Sequence, residues 1–147
     1  STANVWNLTG AQLEVGEYNS TTIPPFQSNT YGDSLSRCQR YYFDTNPSRN
    51  GTAALVGAGY NNTTNLQGTI QFPVSMRTGP SLFTVGGTGY WAGESTPFDT
   101  FDNLDIYNSS DNRSGIQGNG NASGTVGVFA NIRFRNTAAR CAFDSEL

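Results

Sequence analysis

Apolar and polar residues alternate along much of this 147-residue chain, most clearly near its C-terminal end. Between Thr125 and Arg135 an apolar residue occupies every second position, at Val126, Val128, Ala130, Ile132 and Phe134. Successive side chains of a strand point to opposite faces of a sheet, so this pattern predicts a strand, which we place centrally. Patterns rich in aromatic and β-branched residues predict further strands at 41–43, 52–60, 69–77, 81–85, 89–92, 103–107 and 140–143.

The first part of the chain has a different character. Residues 4–15 alternate in two sets around Gly10, which predicts one bulged strand or two short ones. Residues 17–31 are polar and contain the Pro24-Pro25 pair, which cannot continue a ladder. We therefore assign residues 1–30 to a strand and a linker or arm, and residues 31–147 to the main domain.

Three local signals interrupt the strands of the main domain. Asp33 or Ser34 is a candidate N-cap for a helix of one or two turns. Pro73 lies inside the predicted strand 69–77 and marks it as an edge strand or a bulge, because proline cannot donate to a ladder. Residues 114–124 are rich in Gly, Asn and Ser, which predicts a loop.

Composition agrees with an all-β fold and limits the core. Eight or nine short strands without a long helix predict an antiparallel β-sandwich of jelly-roll type with an extended N-terminal arm. Only 35% of the residues are hydrophobic, so core material is scarce for a monomer. Association of subunits would supply the missing burial.

Charge and hydropathy exclude two classes of partner. The net charge is −3 and histidine is absent, so the chain offers no basic field for the phosphates of nucleic acid. No stretch approaches the roughly 18 to 20 consecutive apolar residues of a membrane span. We expect neither nucleic acid nor a membrane as partner.

The two cysteines, Cys38 and Cys141, stand near opposite ends of the main domain. A disulfide between them would close a long loop, which the chain-entropy account values at roughly 4 to 5 kcal/mol. The alternative is two reduced thiols that pack as small hydrophobic groups. Because no histidine is present to activate either thiol, we do not expect a catalytic cysteine.

Several blocks of sequence resemble one known family. GAQLEVG at 10–16, PF at 25–26, YGDSLSRCQRYY at 31–42, FPVSMRTGP at 72–80 and FDSEL at 143–147 occur in this order. This series resembles a pattern near the carboxy termini of tailed-bacteriophage tail-fibre and virion appendage proteins. The resemblance implies a module on the virion surface, often trimeric, in which residues 1–30 are the end of a preceding module. Together with the scarce apolar residues and the edge-like Pro73 strand, it predicts a homotrimer. It brings no catalytic residues, no cofactor and no particular ligand.

Acidic residues between 94 and 105 raise two further questions. Asp99, Asp102 and Asp105 stand close together in sequence, and oxygen ligands at such spacing hold calcium in other proteins. A solvated turn is the alternative, because the segment lacks the glycine and terminal glutamate of a calcium loop. Glu94 could form an acid/base pair with one of these aspartates for glycoside cleavage, or it is simply a surface carboxylate.

Four aromatic residues are candidates for ligand binding. Tyr60, Tyr90, Trp91 and Tyr107 stand beside Gly, Asn and Thr near predicted strand ends. Aromatic faces stack on the apolar face of a pyranose, while amides and hydroxyls bind its hydroxyl groups. The alternative is that these rings pack in the core or between subunits.

Together these observations lead to three hypotheses. The first is a non-enzymatic tail-fibre or appendage domain that sits on the virion surface, contacts other virion proteins and displays a surface for a host glycan or receptor. The second is a capsid decoration or head-fibre protein with no ligand. The third is a polysaccharide depolymerase.

Overall fold

A computed structural model of the chain describes residues 28–46, 48, 51–95, 98–119 and 121–146, together with Gly16, Asn19, Thr21 and Thr22. In chain order the elements are α1 (Tyr31–Gln39), β1 (Tyr42–Asp44), β2 (Ala54–Asn62), β3 (Asn65–Gln71), β4 (Ser81–Val85), β5 (Trp91–Glu94), β6 (Asp99–Phe101), β7 (Asn103–Ser109), β8 (Arg113–Asn119), β9 (Phe129–Phe134) and β10 (Arg140–Asp144). The strand predicted at 4–15 and most of the arm at 17–31 lie outside the described residues.

The strands form two antiparallel sheets. One has seven strands in the order β6-β5-β9-β2-β3-β8-β7 and curls into a half-barrel. The other has three strands in the order β1-β10-β4. Every strand pairing in both sheets is antiparallel, so the predicted all-β antiparallel architecture is confirmed.

A single apolar cluster fills the concave side of the seven-stranded sheet and reaches the three-stranded one. Its largest fully buried members are Trp91, Phe101, Phe134 and Phe143. Phe72 contacts Phe143 edge-on, with ring centroids 5.0 Å apart, and joins the cluster from the segment after β3. Phe143 belongs to β10, so this contact ties the two sheets together.

The C-terminal alternation predicted a strand that the structure contains in shortened form. Ala130, Ile132 and Phe134 of β9 are buried, and β9 lies between β5 and β2, inside the sheet as predicted. The strand begins only at Phe129, and Val126 is 58% exposed. Gly127 has a φ of +81°, a left-handed conformation that ends regular strand geometry on its N-terminal side.

The predicted strand 69–77 is wrong in its second half. β3 ends at Gln71, two residues before Pro73, and β3 is not an edge because it lies between β2 and β8. The alternation persists without a ladder: Phe72 and Met76 are still buried. Their backbone N–H groups donate to the carbonyls of Asn112 and Asp111, so the segment is held by a loop.

The loop predicted at 114–124 is also wrong over its first half. Residues Arg113–Asn119 form β8, which pairs with β3 on one side and β7 on the other. Two of its glycines are required by close ring contacts. A Cβ on Gly118 would lie 2.7 Å from the Phe101 ring, and one on Gly115 would lie 2.6 Å from the Tyr107 ring. These glycines are packing positions within a strand.

Helix α1 is longer and starts earlier than predicted. It spans nine residues, and its N-cap is Thr30, not Asp33 or Ser34. The Thr30 hydroxyl accepts from the Asp33 N–H at 3.2 Å and donates to the Asp33 carboxylate at 2.8 Å. None of its nine residues is buried. In the part of the chain that the structure describes, no helix has the length and apolarity needed to cross a bilayer.

Candidate functional site: a groove at Tyr107

An open groove of about 300 Å³ lies on the outer face of the seven-stranded sheet. Its lining includes Thr69 of β3, Tyr107 and Asn108 of β7, Gly115 of β8, and Ser110 and Arg113 at the turn between β7 and β8. These residues come from three adjacent strands. The groove therefore exists only because β3, β8 and β7 pair in this order.

A β-bulge sets the position of Tyr107. Ile106 pairs with Ile116 and Asn108 pairs with Gly115, so Tyr107 is the extra residue of β7 at this point of the ladder. Its ring covers Gly115, where a Cβ would lie 2.6 Å from Cζ and 2.9 Å from Oη. The side chain of Tyr107 remains 45% exposed. The bulge and the glycine thus hold an aromatic surface in the groove.

The remaining wall of the groove is polar. The β7–β8 turn is closed by a bond from the Ser110 N–H to the Arg113 carbonyl, 2.9 Å. The Ser110 hydroxyl donates to the Asn112 side-chain oxygen at 2.9 Å, and the side chains of Asn108, Arg113 and Thr69 are exposed. The groove combines an aromatic face with an amide, a hydroxyl and a guanidinium, which together can bind a ligand that has both an apolar face and many hydroxyl groups.

The other three predicted aromatic residues lie elsewhere. Tyr60 and Trp91 are 3% and 0% exposed and belong to the core, with Trp91 packed on Phe134 at 4.8 Å between centroids. Tyr90 is half-buried against that core. The structure thus places Tyr60 and Trp91 where no surface ligand could contact them, and it does not bring the four rings into one site.

Tyr60 has a structural partner. Its hydroxyl donates to Asp99 Oδ2 at 3.1 Å, and the same oxygen accepts from the Ser123 N–H at 2.6 Å. Burial, with smaller contributions from the charge of Asp99 and from the hydrogen bond to it, raises the pKa of Tyr60 from 10.0 to about 12. Asp99 therefore fastens β6, β2 and the loop before β9 to one another.

The structure places the three aspartates proposed for calcium in different local settings. Asp99 accepts the bonds just described, Asp102 Oδ1 accepts from the Gly89 N–H at 2.7 Å, and Asp105 is exposed on β7. The described residues contain no group of three or more His, Cys, Asp or Glu side chains that could share a metal ion. Glu94 pairs with Arg133, Oε1 to Nη1 at 2.7 Å, across β5 and β9.

Both cysteines are free thiols. Cys38 is exposed on α1, and Cys141 is buried in β10. Burial raises the pKa of the Cys141 thiol from 9.0 to about 12, against a smaller lowering by the hydrogen bond with Thr45. Cys141 is therefore a neutral core residue at physiological pH.

The sequence predicted one residue of this groove, Tyr107, and missed the rest. Thr69 stands far from Tyr107 in sequence. Asn108 and Arg113 flank the run SSDN at 109–112, which is typical of a turn. Only the register of three strands brings them together. Comparison of the chain with protein-family models, with curated proteins and with solved structures found no match.

Proposed function

We propose that this chain is a non-enzymatic binding domain of the virion surface, part of a tail fibre or appendage, and that it binds a glycan in the groove at Tyr107. One observation carries the ligand class: a 45% exposed tyrosine ring, held on Gly115, faces a groove rimmed by amide, hydroxyl and guanidinium groups. The virion location rests on the sequence blocks that resemble those of tail-fibre and appendage proteins.

The groove favours a sugar for physical reasons. A pyranose presents C–H groups on one face, which stack on an aromatic ring, and hydroxyls at its rim, which bind Asn108, Thr69 and Arg113. The contact of Tyr107 with Gly115 fixes the ring before the ligand arrives, so less side-chain entropy is lost on binding. The geometry thus supports recognition without any reactive group.

The quaternary structure and sandwich type are part of the proposal. Two antiparallel sheets with a shared core support a jelly-roll sandwich. The surface of α1 supports assembly into a homotrimer: Tyr31, Leu35 and Cys38 share one face at helical spacing, and Tyr31 is 81% exposed. Since none of the helix residues is buried within the chain, a second copy of the chain could cover this stripe.

Glycan-array binding of the purified chain, followed by calorimetry, tests the proposed function. We expect Tyr107→Ala to reduce the affinity by about tenfold or more, because one stacking surface is lost. Tyr107→Phe keeps the ring and should retain most of the affinity. Tyr42→Ala is the matched control, since Tyr42 is 44% exposed but belongs to β1 of the other sheet.

Two outcomes would contradict the proposal. The chain could bind no bacterial or host surface glycan on the array, or Tyr107→Ala and Tyr42→Ala could bind equally well. Thermal unfolding of each variant, measured in parallel, shows whether a loss of affinity reflects a loss of the fold.

A further inference from the structure

A second aromatic ring lies on the same outer face of the sheet as Tyr107. Phe129, the first residue of β9, is 68% exposed. The edge of its ring contacts Gly57 of β2, where a Cβ would lie 2.9 Å from the Phe129 Cζ. The Tyr107 ring likewise lies against Gly115, which it buries, whereas Gly57 stays exposed beside the edge of the Phe129 ring. Two strand glycines on one face are thus each in contact with an exposed ring.

Strand register shows how the two rings are related. Thr69 of β3 pairs with Gly115 of β8. Ala58 pairs with Gly68, so the antiparallel register of β2 and β3 puts Gly57 opposite Thr69. Gly57, Thr69 and Gly115 therefore form one row across three neighbouring strands, and the glycines under the two rings are two strand spacings apart, about 10 Å.

The surface between the rings is polar and ordered. Thr69 lies in the middle of the row with its side chain exposed. One step along the strands, on the same face, Gln67 Nε2 donates to Gln117 Oε1 at 3.2 Å across β3 and β8. Since Gln67 pairs with Gln117 and with Gly59, this amide pair borders the row on one side. The patch thus has an aromatic surface at each end and hydrogen-bonding groups between them.

The separation of the rings determines what could contact both. A single sugar ring is far shorter than about 10 Å, the separation of the two glycines that the rings contact. A chain of sugars lying across the strands could stack one unit on Tyr107 and a later one on Phe129, while the intervening unit meets Thr69 and the amide pair. At 68% exposure the Phe129 ring is accessible to such a chain.

From this geometry we infer that the ligand is a linear glycan chain that lies across β8, β3 and β2, with Tyr107 and Phe129 as its two stacking positions. The inference rests on the proposed function, since it extends the Tyr107 groove to a second position. It assigns the ligand class as an unbranched polysaccharide segment and not a terminal sugar.

Calorimetry with size series of cello-, chito-, malto- and alginate oligosaccharides, from dimer to hexamer, tests this inference. For the wild-type chain we expect the affinity to rise with length until both rings are reached. Phe129→Ala should lower the affinity for hexamers by roughly tenfold and leave that for dimers unchanged. Tyr107→Ala should lower both.

Matched variants separate binding from packing. Phe83 is 48% exposed on β4 of the other sheet, so Phe83→Ala should bind hexamers as the wild type does. Phe129→Trp preserves a stacking surface and should restore the length dependence that Phe129→Ala removes. Because the Phe129 ring also contacts Gly57, the melting temperature of each variant is recorded, and affinities are compared well below it.

The outcomes distinguish this inference from the proposed function. If dimers and hexamers bind with equal affinity and Tyr107→Ala weakens both, the groove is a glycan site and the linear-chain inference is overturned. An unchanged affinity of Phe129→Ala for hexamers would likewise overturn the linear-chain inference and leave the groove as a glycan site. If no oligosaccharide of any series binds the wild-type chain, the linear-chain inference is overturned, whereas the proposed function fails only if the glycan array is negative as well.

Discussion

At the scale of single residues, two tyrosines show how side-chain direction decides a role. Tyr107 is 45% exposed on the outer face of the half-barrel, and Tyr60 is 3% exposed on the inner face. Each packs against a glycine, Gly115 for Tyr107 and Gly124 for Tyr60. Tyr107 thus presents its ring to solvent, while Tyr60 uses its hydroxyl to hold Asp99. Both have Asn or Gly neighbours in sequence, which do not distinguish the two roles.

Removal of the Tyr60 hydroxyl tests its link to Asp99. Tyr60→Phe leaves the ring but loses a hydrogen bond to a carboxylate, so we expect the free energy of unfolding at pH 7 to fall by about 1.5 to 3 kcal/mol. Urea denaturation followed by tryptophan fluorescence measures this change. A variant as stable as the wild type would show that the Ser123 bond to Asp99 suffices alone.

The raised pKa of Tyr60 also predicts how the stability of Tyr60→Phe depends on pH in alkaline solution. The pKa of Tyr60 is raised from 10.0 to about 12, so the folded protein holds this proton more tightly than the unfolded chain. The resulting stabilisation is fully present below pH 10 and is lost as pH rises to about 12. The stability of Tyr60→Phe should therefore decline less steeply over this range. Cys141, whose pKa is also raised to about 12, titrates in both proteins and cancels in the comparison.

At the scale of elements, β8 shows why a glycine-rich segment can be a strand. Ser114, Ile116 and Gly118 face the core, and Gly118 lies under the Phe101 ring. The strand gains its stability from pairing on both sides, with β3 and β7, and not from intrinsic propensity. Its glycines leave room for rings that belong to the neighbouring strands.

A methyl group at Gly118 tests this account of β8. In Gly118→Ala the new Cβ would lie 2.7 Å from the Phe101 ring, which is 0% exposed and cannot swing into solvent. We expect a loss of about 1 to 3 kcal/mol in the free energy of unfolding, as for other overpacked cores. Gly59→Ala is the control: its Cβ would meet only the Val128 carbonyl at 3.9 Å, so its stability should change little. Equal urea midpoints for the two variants would contradict the account.

At the scale of the whole molecule, the exposed surface of α1 is the clearest feature to be explained. Among the described elements α1 packs on β1, and none of its residues is buried. A stripe formed by Tyr31, Leu35 and Cys38 therefore faces outward. In the proposed homotrimer this stripe would be the contact surface between copies of the chain.

Charge introduced into this stripe tests the homotrimer. We expect the wild-type chain to have a trimeric mass by light scattering at micromolar concentration. Leu35→Glu should shift it to monomer, because a charged side chain would be desolvated at the contact. Ser36→Glu lies on another face of α1 and should leave the mass unchanged. A monomeric wild-type chain, or a trimeric Leu35→Glu variant with normal stability, would contradict this quaternary structure.

The sequence determined by itself that this protein is an antiparallel β fold, because period-two alternation of the kind seen at Ala130, Ile132 and Phe134 depends on neighbouring residues alone. It also singled out Tyr107 as an aromatic residue with polar neighbours. The sequence did not predict β8, nor did it predict that β3 ends before Pro73, because both features depend on which strands pair.

Only the tertiary structure decided which aromatic residues face solvent and which other residues join them. Tyr60 and Trp91 became core residues, while Phe129 and Tyr107 came to lie on one outer face. The physical reason is register: a side chain's direction follows from its strand, but its neighbours follow from pairing between segments far apart in the chain. The row Gly57, Thr69 and Gly115 exists only after β2, β3 and β8 have paired.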